Sequence, residues 1–273
     1  MSIHLQTAVI ESPPRLALSH AGSGPCILFL HGIGGHRGNW SEQIDFFAAQ
    51  GYLAAALDFR GYGDSADYDG PLDFAADFSD DVLRALDQLG VARAHLVGLS
   101  MGGRVARWFY ARHAERVASL TLANTQPGFD ALGMQATQDF VSARLGPLMA
   151  GHEPAELAPD LARGLIGVSA VAGAYDRLVA SMAALHRASY MKTVRASVEQ
   201  DRGFDLSVIQ VPTLVIAGAQ DKLYAPALAQ AMAGQIAGAR FEVLPHAGHL
   251  SNIEQPALFN ACVLEFLRQL PPA

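Results

Sequence analysis

Short apolar runs and longer amphipathic stretches alternate along this chain. Residues 16–20 and 26–30 read as strands, the second apolar without interruption and therefore buried on both faces. A stretch opening at Asn39 or Ser41 keeps Ile44, Phe47 and Ala48 on one stripe and stops at Gly51, which predicts a helix. Residues 52–57 predict the next buried strand. After Pro71, the residues Phe74, Phe78, Val82, Leu86 and Leu89 recur at three- and four-residue spacing until Gly90, the pattern of an amphipathic helix. An apolar strand at 94–97, a helix carrying Val105, Ala106, Trp108 and Phe109, and a strand at 117–123 follow. Such alternation predicts an α/β fold, a mostly parallel sheet with helices on both faces.

The rhythm breaks at Asn124. From there to about residue 202 there is no strand pattern, only Ala-, Leu- and Met-rich helical stretches punctuated by Gly and Pro. It resumes with a strand at 211–217, a helix at 225–236, a strand at 241–244 and a closing helix at 256–270. The expected organisation is one core domain in two segments, 1–124 and 203–273, split by a helical cap at 125–202. A chain of 273 residues suits one α/β domain with an insertion.

Composition narrows the function. With 51% hydrophobic and 16% charged residues the chain can bury a full core, and its net charge of −7 argues against a nucleic-acid or anionic-membrane surface. No basic start precedes an apolar run near Met1, and no run approaches the roughly 18 apolar residues of a spanning helix, so neither a signal peptide nor a membrane segment is expected. Cys26 and Cys262 sit far apart among apolar neighbours and read as small core residues rather than a disulfide. A cytoplasmic location is the expectation that follows.

The candidate chemistry centres on Gly98-Leu99-Ser100-Met101-Gly102-Gly103. A serine hydroxyl is a poor nucleophile unless it is held out of the chain and a base takes its proton. Flanking glycines let the backbone turn sharply between a strand and a helix, the G-x-S-x-G elbow. The base candidate is His249, after the last strand, and the acid that would orient it is Asp221, just past the strand at 211–217. Serine, aspartate, histidine is the chain order of one known triad arrangement. The glycine-rich loop His31-Gly32-Ile33-Gly34 offers backbone N–H groups for an oxyanion, with the amides of Ile33 and Met101 as the expected donors. His31 reads as a buttress of that loop, His246 as a surface or packing residue, and Asp58 and Arg60 as residues that hold loops together. His246 and His249 lack the further ligands a metal pair needs, so neither a metal nor a cofactor is expected. Phe140, Met182, Tyr190 and other large apolar residues of the insertion suit a pocket or a core equally well. Arg144, Arg163, Arg177, Arg187, Lys192 and Arg195 are candidates to meet an anionic substrate, and the sequence does not choose among them.

Taken together, the Gly-Leu-Ser-Met-Gly-Gly elbow, the His-Gly loop, the Asp58-Phe59-Arg60-Gly61-Tyr62-Gly63-Asp64-Ser65 turn and the late Gly248-His249 resemble an α/β-hydrolase. Within that superfamily the stretches 98–103, 123–125 and 237–254 look most similar to 3-oxoadipate enol-lactonases and related small carboxylesterases. The resemblance implies a serine hydrolase acting on a small-molecule ester or lactone, with Ser100, Asp221 and His249 as its triad and Ile33 and Met101 as its oxyanion donors. Two other functions remain open: a meta-cleavage C–C hydrolase with the same triad, or a hydrolase-like ligand-binding protein. The C–C hydrolases usually carry Asn before the nucleophile and Trp after the histidine, where this chain has Leu99 and Leu250.

Overall fold

The computed structural model describes residues 4–271. Eight strands form one sheet: β1 (Gln6–Ile10), β2 (Leu16–Ala21), β3 (Cys26–Leu30), β4 (Leu53–Asp58), β5 (Ala94–Leu99), β6 (Val117–Ala123), β7 (Thr213–Gly218) and β8 (Arg240–Leu244). Their order across the sheet is β1-β2-β4-β3-β5-β6-β7-β8. The first two pairings, β1 with β2 and β2 with β4, are antiparallel; from β4 to β8 every neighbour runs parallel.

The unbroken apolar runs have a simple cause. Successive strand residues point to opposite faces, and both faces are covered. In β3, Cys26, Leu28 and Leu30 join one core cluster while Ile27 and Phe29 join the other; β4 and β7 divide in the same way. One face packs against α2 (Phe74–Gln88), α3 (Met101–Arg112) and α8 (Pro226–Ala233), through Phe78, Phe109 and Met232 among others. The other packs against α1 (Ser41–Ala49) and α10 (Pro256–Arg268), through Phe47 and Phe259.

Between β6 and β7 lie four longer helices, α4 (Met134–Met149), α5 (Pro154–Leu165), α6 (Ala174–Ala183) and α7 (Arg187–Glu199). Phe140, Leu165, Met182 and Tyr190 from these helices line one cavity together with the loops after β3 and β5, and for brevity we refer to the four helices as the cap helices. Among the described residues no helix is long and apolar enough to cross a membrane. Cys26 and Cys262 are both free, the first buried.

Local details depart from the sequence pattern at a few points. β1 is half exposed on the sheet edge and lacks the alternation that would reveal it. Neither Asn39 nor Ser41 caps α1: a 3-10 turn, Arg37–Trp40, precedes it, and His36 accepts the Gly38 amide there instead. A one-turn helix, α9 (Ser251–Glu254), follows His249 and is too short to carry a periodic signal.

Candidate active site

Ser100 sits between β5 and α3 with φ 54° and ψ −114°, a conformation that costs a non-glycine residue about 1–3 kcal/mol. Its surroundings impose the turn. A Cβ on Gly98 would overlap the Gly102 carbonyl, and one on Gly102 would overlap the Leu30 carbonyl, so strand, elbow and helix pack backbone against backbone. The Ser100 amide donates to the Ala123 carbonyl (2.9 Å), and the Thr125 hydroxyl donates to the Ser100 carbonyl (2.7 Å). The strained residue is therefore held from both sides, with its side chain lining a cavity under the cap helices.

Asp221 lies three residues past the end of β7. Its Oδ1 accepts the amides of Leu223 (2.9 Å) and Tyr224 (3.0 Å), and its Oδ2 accepts Asn124 Nδ2 (3.0 Å). The same Oδ2 faces His249 Nδ1 at 2.9 Å. Burial alone would push the Asp221 carboxyl up; the adjacent His249 ring, the Tyr224 amide and Asn124 outweigh it and hold the group below the usual carboxylate range. A carboxylate at Nδ1 assigns the proton to that nitrogen and leaves Nε2 as the acceptor. His249 lines the same cavity as Ser100, and the Tyr224 ring meets it edge-on at 5.3 Å between centroids. Among the described hydrogen bonds none joins Ser100 to His249; contacts of this kind commonly tighten only when substrate is bound.

The glycine-rich loop after β3 forms another wall of the cavity, where Gly32, Ile33 and Gly34 meet Ser100. Met101 opens α3, so its amide is one of the first-turn donors without a helical partner. Among the described residues neither the Ile33 nor the Met101 amide is taken by a backbone carbonyl. His31 also borders the cavity, but both its ring nitrogens are engaged by backbone: its Nε2 accepts the Phe59 amide (3.2 Å), which leaves Nδ1 to donate to the Gly32 carbonyl (2.8 Å). Burial pushes its imidazole down to about 4, against the pull of Asp58. Asp58 binds the Arg37 guanidinium and the amides of Arg37 and Asp64, and Arg60 pairs with buried Asp81, so both hold loops together. His246 is exposed.

Of the apolar residues in the insertion, Phe140, Met182 and Tyr190 line the cavity, whereas Met134 and Met149 face solvent. The basic residues separate sharply. Arg163, Arg177 and Arg187 pair with Asp160, Glu42 and Glu153, and Lys192 donates to the Tyr68 carbonyl. Arg144 alone of the six reaches the cavity. It is only 6% exposed, lies over the Phe140 ring at 3.8 Å and donates to the Phe140 carbonyl at 3.3 Å. Among the described residues no carboxylate lies within ion-pair distance of it. Arg104, also on the cavity wall, is neutralised by Asp201 at 2.7 Å, a carboxylate it shares with Arg107.

Three residues of the site were not singled out by sequence reasoning: Asn124 on Asp221, Tyr224 against His249, and Glu254 beneath the His249 loop. Asn124 had one available signal, its place directly after a strand's end; its φ of 46° belongs to the structure alone.

Residues 25–256 match the family model described as the alpha/beta hydrolase fold. Over 266 residues the chain is 29% identical to 3-oxoadipate enol-lactonase 2 of Acinetobacter baylyi, covering 91% of this chain and 92% of that protein. A hydrolase from Pseudomonas aeruginosa superposes with a TM-score of 0.83 at 30% identity, over 96% of this chain and 98% of that one. The enol-lactonase from Burkholderia xenovorans gives 0.78 at 26% identity, over 98% and 96%. With the parallel sheet, the strained serine elbow and the family match in agreement, this chain belongs to the α/β-hydrolase family.

Proposed function

We propose that this protein hydrolyses a small carboxylic ester or lactone through an acyl-enzyme on Ser100, and that the substrate also carries a carboxylate. The observation that carries the reading is the buried Asp221–His249 pair, 2.9 Å apart, opening onto the same cavity as a serine held at positive φ. His249 Nε2 takes the Ser100 proton as Oγ attacks the carbonyl carbon. The amides of Ile33 and Met101 receive the developing oxyanion, the second with the N-terminal dipole of α3 behind it. The imidazolium gives its proton to the leaving oxygen; the neutral imidazole then takes a proton from a water that attacks the acyl carbon, and passes that proton to Ser100 Oγ as the acid leaves. Asp221, kept ionised by its own hydrogen bonds, fixes the ring tautomer and stabilises its cation.

Arg144 supports the second half of the proposal. A guanidinium in a largely buried cavity without a counter-ion is costly, and an anionic substrate would supply one. The likeness to enol-lactonases favours a lactone over an open ester. The test is turnover of a panel of short esters, lactones and enol-lactones, each with and without a carboxylate, by wild type and Ser100→Ala. Fast, serine-dependent turnover of the carboxylate-bearing members is expected. No turnover beyond the Ser100→Ala background, or turnover of the neutral members alone, would overturn it.

A further inference from the structure

Beneath His249 lies a carboxyl group that no step of the reaction uses. Glu254, in α9, is fully buried. Its Oε1 accepts the Leu250 amide at 2.8 Å, and its Oε2 accepts the Gly248 amide at 2.9 Å and the Gly167 amide at 2.8 Å. The amide between them, that of His249 itself, donates to the Leu165 carbonyl at 3.0 Å. All three consecutive amides of the histidine loop are therefore bound either by Glu254 or by Leu165 at the end of α5, and Glu254 also binds Gly167 just beyond it. The packing admits no slack. A Cβ on Gly167 would lie 2.6 Å from Gln220 Oε1, 2.9 Å from the Gly248 nitrogen and 3.0 Å from Glu254 Oε2.

We propose that Glu254 is a positioning residue for His249, and that through Gly167 it makes the orientation of the catalytic base depend on how the cap helices are seated. The inference rests on the assignment of His249 as base. A carboxylate receiving three backbone N–H groups in a water-excluded site is strongly held, so the loop it binds has little freedom. Nδ1 of His249 must meet Asp221 while Nε2 faces Ser100, and a displacement of about 1 Å in such a constellation costs on the order of 100-fold in rate. Leu165 and Leu250, the neighbours bound in this arrangement, both line the substrate cavity. Substrate that presses on the cap therefore presses on the base.

Two variants approach the coupling from opposite ends. Glu254→Gln keeps the size but turns an acceptor into a donor facing an N–H group. Gly167→Ala leaves Glu254 intact and wedges the cap segment away. For Glu254→Gln we expect kcat to fall roughly 10- to 100-fold with KM changed less than about threefold. Gly167→Ala should lower kcat in the same sense, and the double variant should be no worse than Glu254→Gln alone, because both break one connection. Glu254→Asp should recover part of the loss. In parallel, the far-downfield NMR resonance of the His249 Nδ1 proton should shift or broaden in Glu254→Gln and Gly167→Ala. Unchanged kcat per folded molecule with an unchanged resonance, or strictly additive effects, would overturn the proposal. Should Glu254→Gln not fold, Gly167→Ala and Glu254→Asp decide it alone. Should wild type turn over no ester or lactone, the proposed function fails, while the resonance still tests the positioning.

Discussion

In the proposed mechanism, three side chains with different surroundings divide the chemistry at the residue scale. Ser100 carries backbone strain, Asp221 carries four hydrogen-bond partners, and His249 is bonded to Asp221 and lines the same cavity as Ser100. Ser100→Ala is expected to lower kcat roughly 10⁴-fold or more, measured on the best substrate of the panel. Asp221→Asn should cost about 10⁴-fold as well with the fold intact, since an amide there favours the wrong histidine tautomer. His31 offers a test of stability rather than rate. Its imidazole is pushed to about 4 by burial, below the ordinary value of 6.5, so between those values the unfolded chain binds the extra proton. Stability is then fully present above pH 6.5 and lost as pH falls towards 4, by about 2 kcal/mol at pH 5 from this residue. Urea unfolding at pH 7 and pH 5, with His31→Gln as the control that flattens the difference, measures it. The order of the proposed triad could be read because Ser100 directly follows the fully buried β5 and Asp221 comes three residues after the fully buried β7, while His249 comes five residues after the partly exposed β8. Asn124 and Glu254 could not be read, because their importance lies in hydrogen bonds to residues 97 and 87 positions away.

Elements matter here for where they end. Parallel strands β3, β5 and β7 bring the glycine loop, Ser100 and Asp221 to one edge of the sheet, as parallel sheets gather their sites. That layout could be read from alternation alone, since strands buried on both faces leave continuous apolar runs. The exposed edge strand β1 and the short α9 could not, because neither buries a repeating face. The elbow is the tightest junction between elements. Gly102→Ala would drive a methyl into the Leu30 carbonyl at the crossing of β3 and α3, an overpacking worth at least about 1–3 kcal/mol. The expected outcome is a lower unfolding midpoint together with loss of turnover, and calorimetry beside a rate assay separates the two effects. Gly146→Ala is the control, because a Cβ there meets nothing within 4 Å.

The whole molecule is acidic, with a net charge of −7, yet its cavity is not. Arg104 is paired with Asp201, whereas Arg144 of α4 has no carboxylate within ion-pair distance among the described residues, so that side of the cavity holds an uncompensated guanidinium. Here sequence reasoning stopped at six candidate cations. Helix packing decides which side of α4 faces inward, and the apolar residues of α4 are spread around it rather than gathered on one stripe: Phe140 is buried while Met134 and Met149 are exposed. Only the folded chain shows that Arg144 lies on the inner side. If it receives a substrate carboxylate, Arg144→Gln should raise KM for carboxylate-bearing esters about 10- to 100-fold, the range of a hydrogen-bonded charge pair. KM for a neutral ester of the same size should stay unchanged or fall, since the variant removes an uncompensated charge. Arg163→Gln, whose parent guanidinium pairs with Asp160 at the surface, should leave both values alone. Equal losses for charged and neutral esters in Arg144→Gln would instead make this arginine a packing residue of α4, and the substrate's carboxylate would lose its support.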